Sequence, residues 1–216
     1  MTLSFLRPAI VAALAVASLA SCGGKATFDI NVTVEGLAYP GLMLTETKSG
    51  QTITVTDIKK NTFSFPNTIE YGTEFNVVIP KDGQPLHQTC SPFSGTSGSA
   101  GQMASINVVF TCSLNPHTVG GNVRLAPEFT GDYTGLQLIN GSNDREAIAF
   151  GETSTATYGF QNITYDTPYG ITIFGQPAGL KCKLVPQVTQ PGATADKVAG
   201  IMGDKDVIID VVCEKA

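Results

Sequence analysis

The chain has 216 residues, a formal net charge of −5 and 14% charged residues, well under the usual quarter. That acidic balance, without any Lys/Arg cluster, excludes nucleic acid as a partner, because phosphate recognition needs concentrated positive charge, and it excludes a polybasic grip on anionic lipid. Two histidines, no tryptophan, 23 glycines and 12 prolines suit an exported all-β protein better than an enzyme or a sugar-stacking module.

The first element in chain order is a leader. Arg7 precedes a short apolar stretch, residues 9–17, which runs into Leu19-Ala20-Ser21 and then Cys22. A charged start, an apolar middle and small residues at the cut are the order of a secretory signal. The apolar run is shorter than the roughly 20 residues a membrane span needs. Leu19-Ala20-Ser21-Cys22 resembles the lipobox of bacterial lipoproteins. The resemblance implies that residues 1–21 are a lipoprotein signal peptide, that Cys22 is lipidated, and that residues 22–26 tether the protein to the membrane. Acyl chains on Cys22 would exceed the two-signal requirement for stable anchoring. Gly23 stands where enteric lipoproteins retained in the inner membrane carry aspartate, so an outer-membrane location is expected.

Strands follow. Phe28, Ile30, Val32 and Val34 alternate with Asp29, Asn31, Thr33 and Glu35, a period of two with one buried face. Further strands are expected at 53–58, 62–65, 75–79 and 106–112, then at 119–123, 135–139, 147–150, 156–160, 169–174 and 207–212. Turn signals separate them, among them Ser49-Gly50, Asp82-Gly83, Asn140-Gly141 and Gly203-Asp204. Segments 91–102 and 183–203 are rich in Gly, Ser, Pro and Thr and read as long exposed loops.

The second half repeats the first. Gly41-Leu42-Met43-Leu44 returns as Gly135-Leu136-Gln137-Leu138, and Thr62-Phe63-Ser64-Phe65 as Thr157-Tyr158-Gly159-Phe160. Tyr71-Gly72-Thr73-Glu74-Phe75 returns as Tyr165-Asp166-Thr167-Pro168-Tyr169, Gln84-Pro85 as Gln176-Pro177, and Cys90 as Cys182. Each copy closes with an apolar run into a last cysteine, Cys112 or Cys213. Offsets between matched positions stay between 92 and 95 up to the first cysteine, so length changes lie between motifs. Short strands at near-regular spacing predict a β-sandwich in each copy.

Together these motifs resemble the Ig-like repeats of proteobacterial surface lipoproteins. The match runs through Val32-Thr33-Val34-Glu35-Gly36-Leu37, Gly135-Leu136-Gln137-Leu138, Gln176-Pro177-Ala178-Gly179-Leu180-Lys181-Cys182 and Val211-Val212-Cys213. The first copy departs from it in Gln84-Pro85-Leu86-His87-Gln88-Thr89-Cys90, which lacks the glycine after Gln-Pro. The resemblance implies an all-β chain of two tandem Ig-like β-sandwich units and brings no assigned chemistry. The units are expected at 27–113 and 117–216, parted near Asn115-Pro116. Cys90, Cys112, Cys182 and Cys213 are even in number in an exported chain, which points to disulfides. The repeat assigns Cys90 to Cys112 and Cys182 to Cys213, one bond per unit.

No catalytic residue is assigned. The G-x-S-x-G elbow, the H-E-x-x-H helix and S-x-x-K with its partner motifs are missing. His87 and His117 stand on either side of the expected boundary, where a metal would need further carboxylates or thiolates. Asp204 and Asp206 straddle Lys205 and lack the density of a calcium loop. No metal and no cofactor is expected. Aromatics that recur, Phe63, Phe65 and Phe75 with Tyr158, Phe160 and Tyr169, read as core. Tyr39, Phe93, Phe129 and Tyr133 read as non-recurring and exposed. Phe129 and Tyr133 fall in a segment read as an insertion of the second copy, and they form the candidate contact surface, because loops on rigid sandwiches are where binding sits. The expectation is a non-enzymatic, lipid-anchored envelope protein for surface display, adhesion or contact with another envelope or surface protein. A structural spacer is the alternative. An enzyme with a site across the unit interface is the more distant one, and titratable residues converging there would be its mark.

Overall fold

Alternating burial marks several strands of this chain. In β2 (Ile30–Glu35) the buried residues are Ile30, Val32 and Val34, one face of a pleated strand. The computed structural model describes residues 25–125, 133–141, 146–150, 155–188 and 190–216. The leader, Cys22 and Phe129 lie outside the described residues. Before and after β2 come β1 (Thr27–Phe28), β3 (Leu42–Glu46), β4 (Thr52–Val55), β5 (Thr62–Ser64), β6 (Ile69–Glu70), β7 (Glu74–Val78), β8 (Gln88–Ser94), β9 (Ser97–Ser99) and β10 (Ile106–Leu114). The second half supplies β11 (Pro116–Leu125), β12 (Gln137–Asn140), β13 (Glu146–Ala149), β14 (Thr155–Thr164), β15 (Pro168–Gly175), β16 (Leu180–Pro186), β17 (Lys197–Ile201) and β18 (Val207–Lys215). Among the described residues there is no helix.

The same sheet order occurs twice. The first half forms β5-β2-β10-β8 and β4-β3-β7-β9, and the second forms β14-β11-β18-β16 and β13-β12-β15-β17. In each half the opening strand lies parallel to the closing one, β2 with β10 and β11 with β18. Each half buries its own core between its two sheets, one running from Ile30 to Phe110 and the other from Val119 to Cys213. The chain is all-β, two tandem β-sandwiches. Phe65, Phe75, Tyr158, Phe160 and Tyr169 are buried in these cores.

Two expected loops contain strands. Segment 91–102 contains most of β8 and all of β9, and segment 183–203 contains most of β16 and all of β17. β8 buries only Gln88 and Cys90, and β17 only Val198, so neither shows an apolar alternation. Cys90 faces Cys112 across the β8–β10 ladder, and Cys182 faces Cys213 across β16–β18. Both pairs are disulfide-bonded. Each bond staples an edge strand to its neighbour within one sheet.

The β8 and β16 edges are each capped at their cysteine. Exposed edges invite pairing with other chains. Gln84 Nε2 donates to the Cys90 carbonyl (2.9 Å), and Cys90 N–H donates to Gln84 Oε1 (2.8 Å). Gln176 does the same for Cys182, at 3.1 and 2.8 Å. A carboxamide carries the donor and acceptor of a peptide group, so each glutamine stands in for a neighbouring strand. Farther along these edges, Pro92 and Pro186 have no N–H to offer. The recurring Gln-Pro and cysteine spacing is therefore an edge cap.

Candidate functional site at the junction of the two units

Only Asn115 separates β10 from β11. Its N–H donates to the His87 carbonyl (2.9 Å), and its Oδ1 accepts from Thr89 Oγ1 (2.7 Å). The junction is thereby tied to the turn that carries His87. His87 has φ +64°, and its counterpart 92 residues on, Gly179, has φ +74°. A left-handed backbone suits glycine and costs other residues on the order of 1–2 kcal/mol. The first unit thus holds an imidazole where the second has glycine, and this is the departure from the repeat noted in the sequence.

The imidazole lies flat on Tyr165 of the second unit, with centroids 3.6 Å apart and planes 8° from parallel. Tyr39 meets both rings edge-on, 4.9 Å from His87 and 5.6 Å from Tyr165. His87 Nδ1 stands 2.6 Å from Asp204 Oδ1. Tyr165 is followed by Asp166 at φ +62°, where the first unit has Gly72 at φ +82°. Each side of the contact therefore carries a non-glycine residue in a conformation its counterpart gives to glycine. Burial, then the charges of Asp166 and Asp204 and the neighbouring Tyr165, raises the Tyr39 phenol above its ordinary value.

One turn serves both histidines. Asp204 holds His87, while Asp206 Oδ1 accepts from Thr118 N–H (2.8 Å) and lies 3.7 Å from His117 Nδ1. His117 Nε2 is buried and has no hydrogen-bond partner among the described residues. Asp210 stands elsewhere, accepting from Asn122 N–H (2.8 Å) and Arg124 (3.2 Å). The three aspartates that are close in sequence serve three separate sets of partners. Among the described residues, no group of three or more His, Cys, Asp and Glu side chains is placed to hold a metal ion.

His87 with Asp204 has the form of a carboxylate-oriented base. Here, however, the imidazole is covered on a face by one ring and at its edge by another. The titratable side chains converge on one another across the boundary, and what they make is a joint.

No family model matches the chain, and no curated protein matches it. Solved structures do. The Bacillus anthracis TIE protein aligns over 88% of this chain and 34% of its own, at TM-score 0.48 and 9% identity. The major pilin T-13 of Streptococcus pyogenes aligns over 89% of this chain and 98% of its own, at TM-score 0.32 and 10% identity. The pilus adhesin SpaC of Lactobacillus rhamnosus GG aligns over 88% and 31%, at TM-score 0.37 and 12% identity. This chain spans about a third of the length of the TIE protein and of SpaC. No residue role is carried across from them.

The expected contact surface requires a correction. Tyr133 is fully buried, and its hydroxyl donates to the Val123 carbonyl (3.0 Å). Burial raises its phenol above the ordinary value. The physical reason is visible two residues upstream of the G-L-x-L motif: Tyr133-Thr134-Gly135 matches Tyr39-Pro40-Gly41. The tyrosine recurs, as a core anchor in the second unit and as part of the joint in the first. Phe93 is exposed, as expected, at 71%. The β8–β10 register pairs Val109 with Ser94 and Phe110 with Pro92, so Phe93 is the extra residue of a β-bulge, which turns it outward. The β16–β18 ladder runs without a shift. Of the four aromatics singled out in the sequence, Phe93 and not Tyr133 is the exposed one among the described residues.

Proposed function

We propose that this chain is a non-enzymatic protein of the bacterial cell envelope, anchored by lipid on Cys22 in the outer membrane. Its two Ig-like units, 27–113 and 117–216, are held in series for surface display and for contact with another envelope or surface protein. The observation that carries this reading is the use made of the converging residues. Tyr39, His87, Tyr165 and Asp204 pack on one another across the boundary, so the convergence an interface enzyme would need is spent on joining the units. The tether 22–26 is short, so the first unit sits close to the membrane and the second beyond it. The bulged Phe93 is the side chain through which contact is made. No cofactor enters the reading.

The joint also favours one alternative, a structural spacer that only holds its ends apart. Two measurements separate these readings. Cys22→Ala should move the protein from the detergent phase to the aqueous phase, and equal partitioning of variant and wild type removes the lipid anchor. A photoreactive phenylalanine analogue at position 93 should give a discrete adduct in intact cells that the same analogue at exposed Ile58 does not. Indistinguishable labelling at the two positions supports the spacer.

A further inference from the structure

We propose that the tethered end of the first unit is a membrane-docking face. Tyr71, backed by Phe28 and joined by Met103, enters the interfacial layer of a zwitterionic bilayer and sets the first unit upright on it. This docking rests on the lipid anchor at Cys22 and adds to it a contact made by the fold itself.

The topology puts these side chains at one end. Ile30 at the start of β2 pairs with Ile106 at the start of β10, and β10 finishes at the joint, so the starts of both strands lie opposite the second unit. The tether enters here, where β1 pairs with β6. Tyr71 follows β6 directly, and its N–H donates to the Ala26 carbonyl (2.8 Å). The next N–H, of Gly72, donates to the Ala100 carbonyl (2.9 Å). The Tyr71 ring stands 6.5 Å from Phe28 and so close over Gly101 that a Cβ there would collide with it. The ring is thus held by its own backbone and by a glycine beneath it, yet it is 64% exposed. Met103, on the same loop as Gly101, is exposed as well. Tyrosine joins an apolar ring to a polar tip, the combination enriched at membrane–water interfaces.

The repeat argues against a second copy as the occupant. Tyr165, 94 residues on from Tyr71, is the tyrosine that His87 and Tyr39 cover at the joint. That socket is filled within the chain. The far end of the second unit offers no other, since Gly179 stands in place of His87 and Tyr133, in place of Tyr39, is fully buried. Chain length decides for the bilayer. Three residue steps separate Cys22 from Lys25, at most about 11 Å, so acyl chains on Cys22 hold this face within that reach of the headgroups. An interfacial side chain needs to enter by only about 5–10 Å. Charge then selects the lipid. Lys25 is paired with Glu70 (2.8 Å) and Lys48 with Glu74 (3.9 Å), and exposed Asp29 is left over. No surplus of positive charge remains to attract anionic headgroups, so the surface that fits is zwitterionic.

The test uses the full mature chain with both disulfides formed, which leaves Cys22 as its one free thiol. That thiol is coupled to a maleimide lipid in vesicles of phosphatidylcholine and phosphatidylethanolamine. The sequence has no tryptophan, so Tyr71→Trp and, as a second reporter, Met103→Trp each carry a single emitter. On coupling, both emissions should shift to the blue. Lipids brominated near the headgroup end of the acyl chain should quench both several-fold more than Phe174→Trp, an exposed position of the second unit. Tyr71→Ser combined with Met103→Trp should lose most of the quenching at position 103. Quenching at 71 and 103 no greater than at 174 overturns the docking face, and quenching that appears only after phosphatidylglycerol is added overturns the choice of lipid. The anchor is read separately, by the mass of the Cys22 peptide from cells. A peptide without acyl mass removes the anchor and with it docking in the cell, whereas acyl mass with equal quenching at all three positions removes the docking alone.

Discussion

Glu46 and Asn140 occupy the same place in the two units, 94 residues apart, and both are buried. Each is an acceptor for the adjoining strand: Glu46 Oε1 takes Asn76 N–H at 3.1 Å, and Asn140 Oδ1 takes Gly170 N–H at 2.9 Å. Glu46 also accepts from Lys48 N–H (3.0 Å), Ser49 N–H (2.6 Å) and the Ser49 hydroxyl. Burial alone would raise its pKa. The hydrogen bonds to Ser49, Lys48 and Asn76 together outweigh that and hold it below the ordinary value. A folded-state value below the unfolded one means stabilisation present above the carboxylate range and lost as pH falls through it. Glu46→Gln should therefore cost the first unit about 1–3 kcal/mol at pH 7, with the difference shrinking below about pH 4. Denaturant unfolding at pH 3 and pH 7 measures it, and an equal difference at both would contradict the assignment. Tyr133 gives a second residue-level test. Tyr133→Phe should cost the second unit about 1 kcal/mol for the lost bond to Val123, and Tyr133→Ala about 3–5 kcal/mol. A neutral Tyr133→Ala in thermal unfolding would return this residue to the surface.

At the scale of strands, the capped edges make a separate prediction. Gln84→Ala and Gln176→Ala each leave a cysteine peptide group without its partner, and should each cost about 1–3 kcal/mol in the unit concerned. They should also open an edge, so self-association in sedimentation should rise with either change. Unchanged stability and an unchanged monomer fraction would show that the glutamines are incidental. Strands that bury an alternating face were readable in the sequence, because the two-residue period is a direct imprint of burial. β8 and β17 were not, since their backbones are held by neighbours rather than by their own apolar residues. β16 could have been read: Leu180, Cys182 and Leu184 alternate with Lys181 and Lys183 and are buried. Its neighbours in a Gly- and Pro-rich stretch masked the pattern. The joint left one sequence trace, His87 in place of the repeat's glycine, but nothing in a local pattern says that its ring meets Tyr165. That contact depends on how two complete sandwiches are set end to end, which is a property of the junction and not of either repeat.

For the molecule as a whole, the central claim is that two units, each with its own core and disulfide, meet at a built joint. Among the described residues the two cores share no residue, each unit has its own disulfide, and the contacts across the boundary gather around Tyr39, His87, Asn115, Tyr165 and Asp204. The direct test is to compare amide spectra of the oxidised fragments 25–113 and 115–216 with those of the intact mature chain. Both fragments should fold, and their peaks should superimpose on the intact spectrum except at those junction residues and their immediate neighbours. An unfolded fragment, or shifts spread through either core, would contradict the account.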